Sequence, residues 1–417
     1  MGGAPRRGCD AGGVGLDDDG KPGRLRTLED VDFRGRRVLL RADLNVPLTA
    51  DGAVADASRI DATLPTLRRL LDADCAVVLA SHLGRPKGRV VPALSLAPVA
   101  QVLSQRLGRP VPLAPGVTGP EVAARVRALG PGEVLLLENL RFDPREEKDD
   151  PAFAAELAQG LDLLVDDAFG AVHRAHASVH ALAGVLESVA GLLVAREVEM
   201  LSRLLGQVER PYAVVLGGAK VADKLGMVAT LGERADRLIV GGGMANTFLL
   251  ARGGRMGRSL VEPDRAADAR ALMERLGERL LLPVDLVVGS APDDPEPRVV
   301  GADAVPDDAM ALDIGPQTRG RFAAALAESR TVFWNGPMGV FERPAYRAGT
   351  QAVAAAVAAV PGLSVVGGGD SVAALHAAGV ASRIGHVSTG GGASLEFLEG
   401  RDLPGLRVLG YRPPGAR

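Results

Sequence analysis

Nine short apolar runs, each ending in polar or glycine residues, constrain the fold of this chain more than any other feature. Longer segments rich in Ala, Leu and Arg, with a helical period, separate them. Continuous apolar runs of this length are typical of parallel strands covered by helices on both faces. The sequence therefore predicts an α/β fold with doubly wound parallel sheets. The runs are VLLRAD, AVVLAS, VLLLEN, LDLLVDDAF, YAVVLGG, RLIVGGG, DLVVGS, TVFWNG and LSVVGGGD.

The residues that end these runs are predicted to form ligand-binding edges, because the carboxyl ends of parallel strands line the crevice of an open sheet. We expect two sheets, connected by the segment 182–207, which is helical in pattern and ends before Pro211. The run endings are Asp43 and Asn45, Ser81 and His82, Glu138 and Asn139, Asp166 and Asp167, Gly217 and Gly218, Gly241 to Gly243, Asn335 and Gly336, and Gly367 to Asp370.

Composition and charge narrow the classes of function. A length of 417 residues suggests two domains, on a prior of roughly 150 residues per domain. A net charge of -3 gives no broad attraction to nucleic acid or anionic lipid, so we expect neither as a partner. Cys9 and Cys75 form no zinc or CxxC pattern, and we find neither a signal peptide nor an uninterrupted apolar stretch of membrane length. These features predict a cytoplasmic protein without disulfides.

The first half of the chain places five arginines beside predicted strand ends. Arginine forks bind phosphate and carboxylate oxygens in a bidentate way, so several at one edge favour a site for a small, multiply anionic metabolite. The alternative for each of them is a solvated surface arginine. The five are Arg41, Arg59, Arg85, Arg141 and Arg174.

Three histidines follow at spacings of three and four residues, which on a helix would put His173, His176 and His180 on one face. A zinc site is one interpretation, but no cysteine or carboxylate nearby completes a ligand set. Anion contacts from His173, or a capping role, are the preferred hypothesis.

The second half is rich in glycine where its predicted strands end, in GGAKVADK, GGGM, WNGPMGVFE, GGGDS and STGGGAS. Glycine allows backbone N–H groups to approach phosphate closely, although any single glycine run is also explained by a tight turn. Neither G-x-x-x-x-G-K-[ST] nor a G-x-G-x-x-G between a strand and a helix is present, which disfavours P-loop enzymes and nicotinamide dehydrogenases. The pattern indicates nucleotide binding by another glycine-rich site.

Lysine makes up only five of the 48 basic residues, and two of the five, Lys220 and Lys224, lie in one glycine motif. Their spacing predicts one helical turn between them, so that both ammonium groups face the same phosphate chain. Asp370 stands where a carboxylate would hold nucleotide-bound Mg²⁺, and Glu342 is a candidate for a ribose hydroxyl.

Taken together, the motifs resemble the phosphoglycerate kinase family over about residue 25 to the C terminus. The family's order is followed by RADLNVP, SHLGRPKG, LENLRF, DDAFGAVHRAHAS, GGAKVADK, GGGMANTFL, DIGPQT, WNGPMGVFE, GGGDS and STGGGASLEFLEG. The resemblance implies Mg²⁺-dependent phosphoryl transfer between 1,3-bisphosphoglycerate and ADP by two Rossmann-like domains that close over a hinged cleft. The alternative is a catalytically inactive nucleotide-binding homologue, although none of the charged residues assigned to chemistry is lost.

The resemblance also implies a domain plan and a set of site residues. We expect a 3-phosphoglycerate domain at 26–190, a hinge at 191–209, a nucleotide domain at 210–402, and a segment at 403–417 that packs back on the first domain. Before them, residues 1–25 are rich in Gly and Asp and lack apolar periodicity, which predicts a disordered extension. Because one active site shared by two domains of one chain requires no partner, we expect a monomer. The expected 3-phosphoglycerate ligands are Asp43, Asn45, Arg59, His82, Arg85, Arg141 and Arg174. The expected nucleotide ligands are Gly218, Lys220, Lys224, Gly242, Asn335, Glu342, Gly369, Asp370 and Ser371.

For the transfer itself, we hypothesise that Arg59 and Lys220 contact the oxygens of the transferred phosphoryl group, that the glycines around Gly391 donate N–H groups to it, and that Asp370 holds the metal. The sequence departs from the family pattern at its N-terminal extension, at Ala171 and Val172, and at Asn246, which stands where an apolar or aromatic residue is usual. We expect Asn246 to change the packing of side chains beside the predicted nucleotide pocket.

Overall fold

The computed structural model describes residues 23–206 and 208–413, and the chain divides into two compact units. Unit 1 comprises the described residues up to Ala168, Arg174–Leu192 and the segment from Pro404; unit 2 comprises Phe169–His173 and Leu193–Leu403. Most of the predicted extension, residues 1–22, lies outside the described residues. Within the described residues, no helix is long and apolar enough to cross a membrane.

Unit 1 is built on a five-stranded sheet in which all the strands are parallel, with the order β3-β2-β1-β4-β5. Its strands are β1 (Arg37–Arg41), β2 (Ala76–Ala80), β3 (Val134–Leu136), β4 (Leu163–Asp166) and β5 (Glu187–Ala190). Its first helices are α1 (Ser58–Leu71), α2 (Ala97–Leu107), α3 (Pro120–Ala128) and α4 (Pro151–Leu157).

Both faces of this sheet are buried. Side chains alternate along each strand, so Leu40 and Leu79 belong to one apolar cluster while Leu39 and Val78 belong to another on the opposite face. All four are at most 1% exposed, and each contributes about 2 kcal/mol of burial free energy. The near-continuous apolar runs predicted this two-sided burial.

The segment 182–207 was predicted to be helical throughout, and this prediction is wrong. β5 (Glu187–Ala190) lies inside it and pairs in parallel with β4, with Ser188 opposite Leu164. The long helix α5 (Leu192–Leu205) forms only the later part of the segment, which begins in a 3-10 helix (Ala181–Gly184). β5 begins with the polar residues Glu187 and Ser188, so it lacks a continuous apolar run, and its pairing with β4 at the edge of the sheet decides its structure.

Unit 2 contains a six-stranded parallel sheet with the order β16-β15-β14-β6-β7-β9. Beside it are a three-stranded sheet, β11-β10-β13, and the pair β12-β8. The strands are β6 (Tyr212–Leu216), β7 (Arg237–Val240), β8 (Arg255–Met256), β9 (Leu280–Leu281), β10 (Asp285–Gly289), β11 (Arg298–Gly301), β12 (Ala304–Val305), β13 (Met310–Ile314), β14 (Thr331–Asn335), β15 (Leu363–Gly367) and β16 (His386–Val387).

The helices of unit 2, after α5, are α6 (Leu225–Arg234), α7 (Gly242–Ala251), α8 (Ala266–Leu276), α9 (Pro316–Ala327), α10 (Ala348–Ala358), α11 (Gly369–Ala377) and α12 (Gly392–Leu398). The run DLVVGS forms β10, which pairs antiparallel with both β11 and β13. The prediction of a parallel strand is wrong for this run, because an apolar run indicates burial on both faces but not the direction of its neighbours.

The C-terminal segment belongs to unit 1 by its contacts. It forms α13 (Pro404–Val408), whose Leu406 is 1% exposed. Leu409, next along the chain, accepts a backbone hydrogen bond of 2.8 Å from Arg26 N. A backbone hydrogen bond therefore links the first and last described segments of unit 1.

Candidate functional site

The loops that follow β1 and β2 in unit 1 hold a group of charged side chains. Asp43, just after β1, forms an ion pair with Arg59 in the first turn of α1. Asn45 Oδ1 accepts a 2.9 Å hydrogen bond from Gly84 N, which joins the two loops. Arg141, after β3, donates from Nη1 to Gly84 O at 2.9 Å, so three strand ends contribute to one edge.

His82 lies among the cations of this edge. The ring is 7% exposed, and its burial, with the fields of Arg41, Arg141, His176 and Arg174, holds its pKa well below the ordinary value for histidine. Burial also lowers the pKa of Arg141, which Glu147 partly offsets. The concentrated positive potential fits an anionic ligand.

The predicted arginines differ in their surroundings. The structure brings Arg141 and Arg174 within electrostatic range of His82, whereas Arg59 pairs with Asp43 and Arg85 is exposed in the loop beyond His82. Arg41 is 1% exposed and donates to protein acceptors, so it is a buried supporting residue instead of a solvated one.

The three histidines do not share a helical face. Residues 173–180 form turns after a short 3-10 helix, so the helical spacing was the wrong interpretation. His180 Nδ1 lies 2.7 Å from Asp149 Oδ2. No cluster of potential metal ligands occurs among the described residues, and the zinc interpretation gains no support.

Unit 2 contains a cavity of about 350 Å³ where its glycine-rich strand ends meet. Leu286, Leu312 and Val340 supply apolar wall, while the predicted nucleotide residues Gly218, Gly242, Glu342 and Asp370 also line it. A mostly apolar cavity with a few polar groups at its margin is typical of a small-molecule site.

Gly242 is required at this cavity by two separate constraints. Its φ is +64°, a backbone conformation that residues with a Cβ rarely adopt. A Cβ there would also lie 2.8 Å from Pro337 O and 2.9 Å from Gly218 N. The glycine run therefore allows three chain segments to approach one another at the cavity wall.

The two lysines occupy different environments. Lys224 is 9% exposed, and its Nζ donates to Gly217 O at 2.6 Å and to Asn335 O at 3.1 Å. Lys220 is exposed in an irregular segment, and α6 begins only at Leu225. The predicted helical turn between the lysines is therefore wrong, because the glycine-rich loop continues past Lys220.

The start of α11 joins the ends of β14 and β15. Ser371 Oγ accepts a 2.6 Å hydrogen bond from Gly336 N, and Asn335 Nδ2 donates to Gly367 O at 2.8 Å. Gly369 and Asp370 are exposed in the first turn of the helix, where a carboxylate is electrostatically favourable. Asp370 therefore presents an exposed carboxylate at the margin of the cavity.

Comparison with known proteins identifies the family. A family model described as phosphoglycerate kinase matches residues 28–401. The chain is 55% identical over 387 residues to the phosphoglycerate kinase of Moorella thermoacetica, which covers 92% of this chain and 98% of that relative. The chain belongs to the phosphoglycerate kinase family. The phosphoglycerate kinase of Thermomicrobium roseum is 53% identical over 389 residues, with 92% of this chain and 99% of the relative covered.

Solved phosphoglycerate kinase structures share the fold. The structure from Coxiella burnetii has a TM-score of 0.83 and 39% identity, covering 93% of this chain and 99% of its own. That from Pyrococcus horikoshii has a TM-score of 0.82 and 34% identity, covering 92% and 98%. The predicted α/β fold with two Rossmann-like domains is confirmed, and the relatives give no support to an inactive homologue.

One departure from the family pattern, Asn246, lines the cavity of unit 2, whereas Gly391 is not among its lining residues. Asn246 is 2% exposed and donates from Nδ2 to Leu260 O at 3.2 Å, so its polar group is satisfied within the wall. Gly391 has a φ of +53° immediately before α12, and a Cβ on its neighbour Gly390 would lie 2.4 Å from the ring of Phe169.

Sequence reasoning missed Asp313, a buried acid that lines the same cavity. Its Oδ2 accepts a 2.7 Å hydrogen bond from Gly349 N at the start of α10, while Oδ1 has no hydrogen-bond partner among the described residues. Burial raises its pKa to about 7. The motif DIGPQT contained the residue, but nothing in its spacing indicated which helix it would contact.

Proposed function

We propose that this chain catalyses reversible phosphoryl transfer between 1,3-bisphosphoglycerate and ADP, giving 3-phosphoglycerate and ATP. Membership of the phosphoglycerate kinase family, at 55% identity to one relative of that name, is the observation that carries the proposal. The two sites described above support it, because one is cationic and the other is a glycine-lined cavity.

Unit 1, corresponding to the domain predicted at 26–190, is proposed to bind 3-phosphoglycerate. The substrate carries a phosphate and a carboxylate, and arginine forks suit both groups. Arg59 and Arg85 would contact it directly, with Asp43 orienting Arg59 through their ion pair. The remaining proposed ligands are Asn45, His82, Arg141 and Arg174.

Unit 2, corresponding to 210–402, is proposed to bind the nucleotide. Gly218 and Gly242 would allow backbone groups to approach it, and Glu342 would accept from the ribose. Lys220, exposed in its loop, and Lys224, which lies beside the ends of β6 and β14, would contact the phosphates. Asn335, Gly369 and Ser371 are proposed to shape the phosphate end, on the evidence of their hydrogen bonds and position at β14 and α11.

Asp370 fits the role of a protein ligand for Mg²⁺, because its exposed carboxylate stands at the cavity margin and Mg²⁺ commonly takes only one or two such ligands beside nucleotide phosphates. When bound, the metal would neutralise part of the phosphate charge.

The chemical step needs positioning more than acid–base catalysis. In the ATP-consuming direction the nucleophile is the carboxylate of 3-phosphoglycerate, which is ionised at neutral pH and needs no general base. We propose that Arg59, Lys220 and the amide of Gly391 stabilise the charge on the three equatorial oxygens of the transferred phosphoryl group during in-line transfer. Domain closure, a monomeric state and a cytoplasmic location stay predictions.

The experiment that tests this function follows ATP formation. The protein is added to ADP, Mg²⁺ and 1,3-bisphosphoglycerate generated in the cuvette by glyceraldehyde-3-phosphate dehydrogenase, and ATP is measured by luciferase light. We expect ATP only when every component is present. A folded protein that forms no ATP would contradict the proposal.

A further inference from the structure

A line of hydrogen bonds crosses the interior of unit 1 and ends at His82. Glu146, which is 0% exposed, accepts from Ser178 Oγ at 2.6 Å and from Ser178 N at 3.0 Å. Ser178 Oγ accepts from Arg41 Nε at 2.9 Å. Arg41 Nη2 lies 3.2 Å from His82 Nδ1. The three pairs of residues are 32, 137 and 41 positions apart in the sequence, so no local motif could predict these hydrogen bonds.

The chemistry of these groups fixes the direction of every hydrogen bond in the line. A guanidinium has five N–H donors and no acceptor, so His82 Nδ1 must be the unprotonated, accepting nitrogen. A carboxylate only accepts, so the Ser178 hydroxyl proton points to Glu146 and leaves the Ser178 oxygen to accept from Arg41. The remaining proton of a neutral His82 ring must then lie on Nε2.

We propose that Glu146 and Ser178 are positioning residues that act through Arg41 to hold His82 as a neutral imidazole with its proton on Nε2. The ring then offers a hydrogen-bond donor without adding charge to an edge already rich in cations. The link to substrate binding rests on the proposed function, in which His82 contacts 3-phosphoglycerate, whereas the protonation state is a property of the free protein.

The charged groups around His82 support this protonation state. Arg41 faces it from β1, Arg141 from the segment after β3, and Arg174 and His176 from the turns at 173–180; all four disfavour a second proton on the ring. Burial acts in the same direction and is the largest cause of the low pKa of His82. Glu146 balances part of the charge of Arg41, although burial raises the pKa of Glu146 itself.

Two variants interrupt the line at different points. Ser178→Ala removes the acceptor of Arg41 Nε. Glu146→Gln keeps the shape of the side chain but replaces one acceptor with a donor. The amide oxygen of the glutamine accepts from Ser178 N–H, so its NH₂ group faces Ser178 Oγ and donates to it. The Ser178 hydroxyl proton then loses its acceptor. Ser188→Ala is the matched control, because Ser188 is also buried in unit 1 but its hydroxyl donates to Leu186 O.

The experiment is long-range ¹H–¹⁵N NMR of the full chain labelled only at its six histidines, with His82 signals assigned by their loss in His82→Gln. In the wild type and in Ser188→Ala we expect an unprotonated Nδ1 and a protonated Nε2 from pH 5.5 to 8. In Ser178→Ala and Glu146→Gln we expect mixed tautomers or a ring that titrates in this range. Protonated Nδ1 in the wild type, or unchanged His82 spectra in both variants, would overturn the proposal.

Kinetics separate this proposal from the function on which it rests. Displacing the Nε2 proton, which is proposed to donate to 3-phosphoglycerate, should raise the KM for 3-phosphoglycerate about three- to tenfold in Ser178→Ala and Glu146→Gln, with kcat and the KM for ATP unchanged. Equal KM values in these variants and in Ser188→Ala would refute the positioning role. A wild type without turnover but with the expected His82 spectrum would instead refute the proposed function.

Discussion

Asp313 is a buried acid at the cavity of unit 2, and its protonation affects protein stability. Its carboxylate is 3% exposed, lines the cavity and caps the start of α10 through Gly349 N. A charged carboxylate with an unpartnered oxygen in such a site is unfavourable, which is why burial raises its pKa from the ordinary 3.8 to about 7.

The raised pKa of Asp313 predicts the sign of a pH effect on unfolding. Between pH 4 and 7 the folded state holds a proton on Asp313 that the unfolded state has released, so its contribution to stability is complete below pH 4 and is lost as the pH rises to about 7. Relative to Asp313→Asn, the wild-type free energy of unfolding should fall by about 1.4 kcal/mol per pH unit in this interval. Urea unfolding of both proteins at several pH values measures the difference, and a constant difference would refute the assignment.

Arg59 is the residue of unit 1 from which we expect the largest effect on rate. Arg59→Ala should lower kcat by roughly a hundredfold, since losing a donor to developing charge costs about 3 kcal/mol. Arg69→Ala is the matched control, because Arg69 lies on the same helix α1 and pairs with Glu29. Steady-state kinetics of the two variants decide the point: similar kcat values would remove Arg59 from the chemical step.

A site residue could be predicted from the sequence when its position depends on a local pattern, and it was missed when its partners lie far away in the sequence. Asp43, His82 and Asp370 directly follow apolar runs, so strand prediction alone placed them at sheet edges. Glu146 and Asp313 were missed because their importance comes from burial against segments distant in sequence. Local patterns predict where a strand ends, but they do not predict which distant segment a buried acid contacts.

Among the elements, strands formed by an apolar run that ends in polar or glycine residues were predictable, whereas β5 and the pairing direction of β10 were not. β1, β2 and β14 each correspond to a predicted run. β5 was hidden within a segment of helical pattern, and the antiparallel pairing of β10 was not foreseen. Pairing direction and edge strands depend on tertiary neighbours, which apolar periodicity does not specify.

The turn between β7 and α7 gives a prediction about element geometry. Gly242→Ala should lower stability and raise the KM for the nucleotide, because Ala adds both an unfavourable φ of +64° and contacts under 3 Å with Pro337 and Gly218. Gly253→Ala is the control at the other end of α7: its φ is +95°, but nothing lies within 4 Å of the added Cβ. Nucleotide KM values that are equal in the two variants would contradict the steric argument.

In the whole molecule, each unit is proposed to bind one substrate, so the stabilisation of the fold by each ligand should be separable by mutation. A ligand at 100 times its Kd stabilises the folded state by about 2.7 kcal/mol. Arg59→Ala should lose the rise in Tm caused by 3-phosphoglycerate and keep that caused by Mg-ADP. Differential scanning calorimetry with each ligand alone tests this, and loss of both effects in Arg59→Ala would argue against separate sites.

The proposed function requires that this chain transfers a phosphoryl group and that Lys220 contacts that group during the transfer. The most direct measurement is turnover with Mg-ATP and 3-phosphoglycerate, coupled to NADH consumption through glyceraldehyde-3-phosphate dehydrogenase, for the wild type, Lys220→Ala and the exposed control Lys148→Ala. We predict wild-type turnover that requires 3-phosphoglycerate, is retained in Lys148→Ala and falls by orders of magnitude in Lys220→Ala. Absence of turnover in folded wild type, or a normal kcat in Lys220→Ala, would contradict the account.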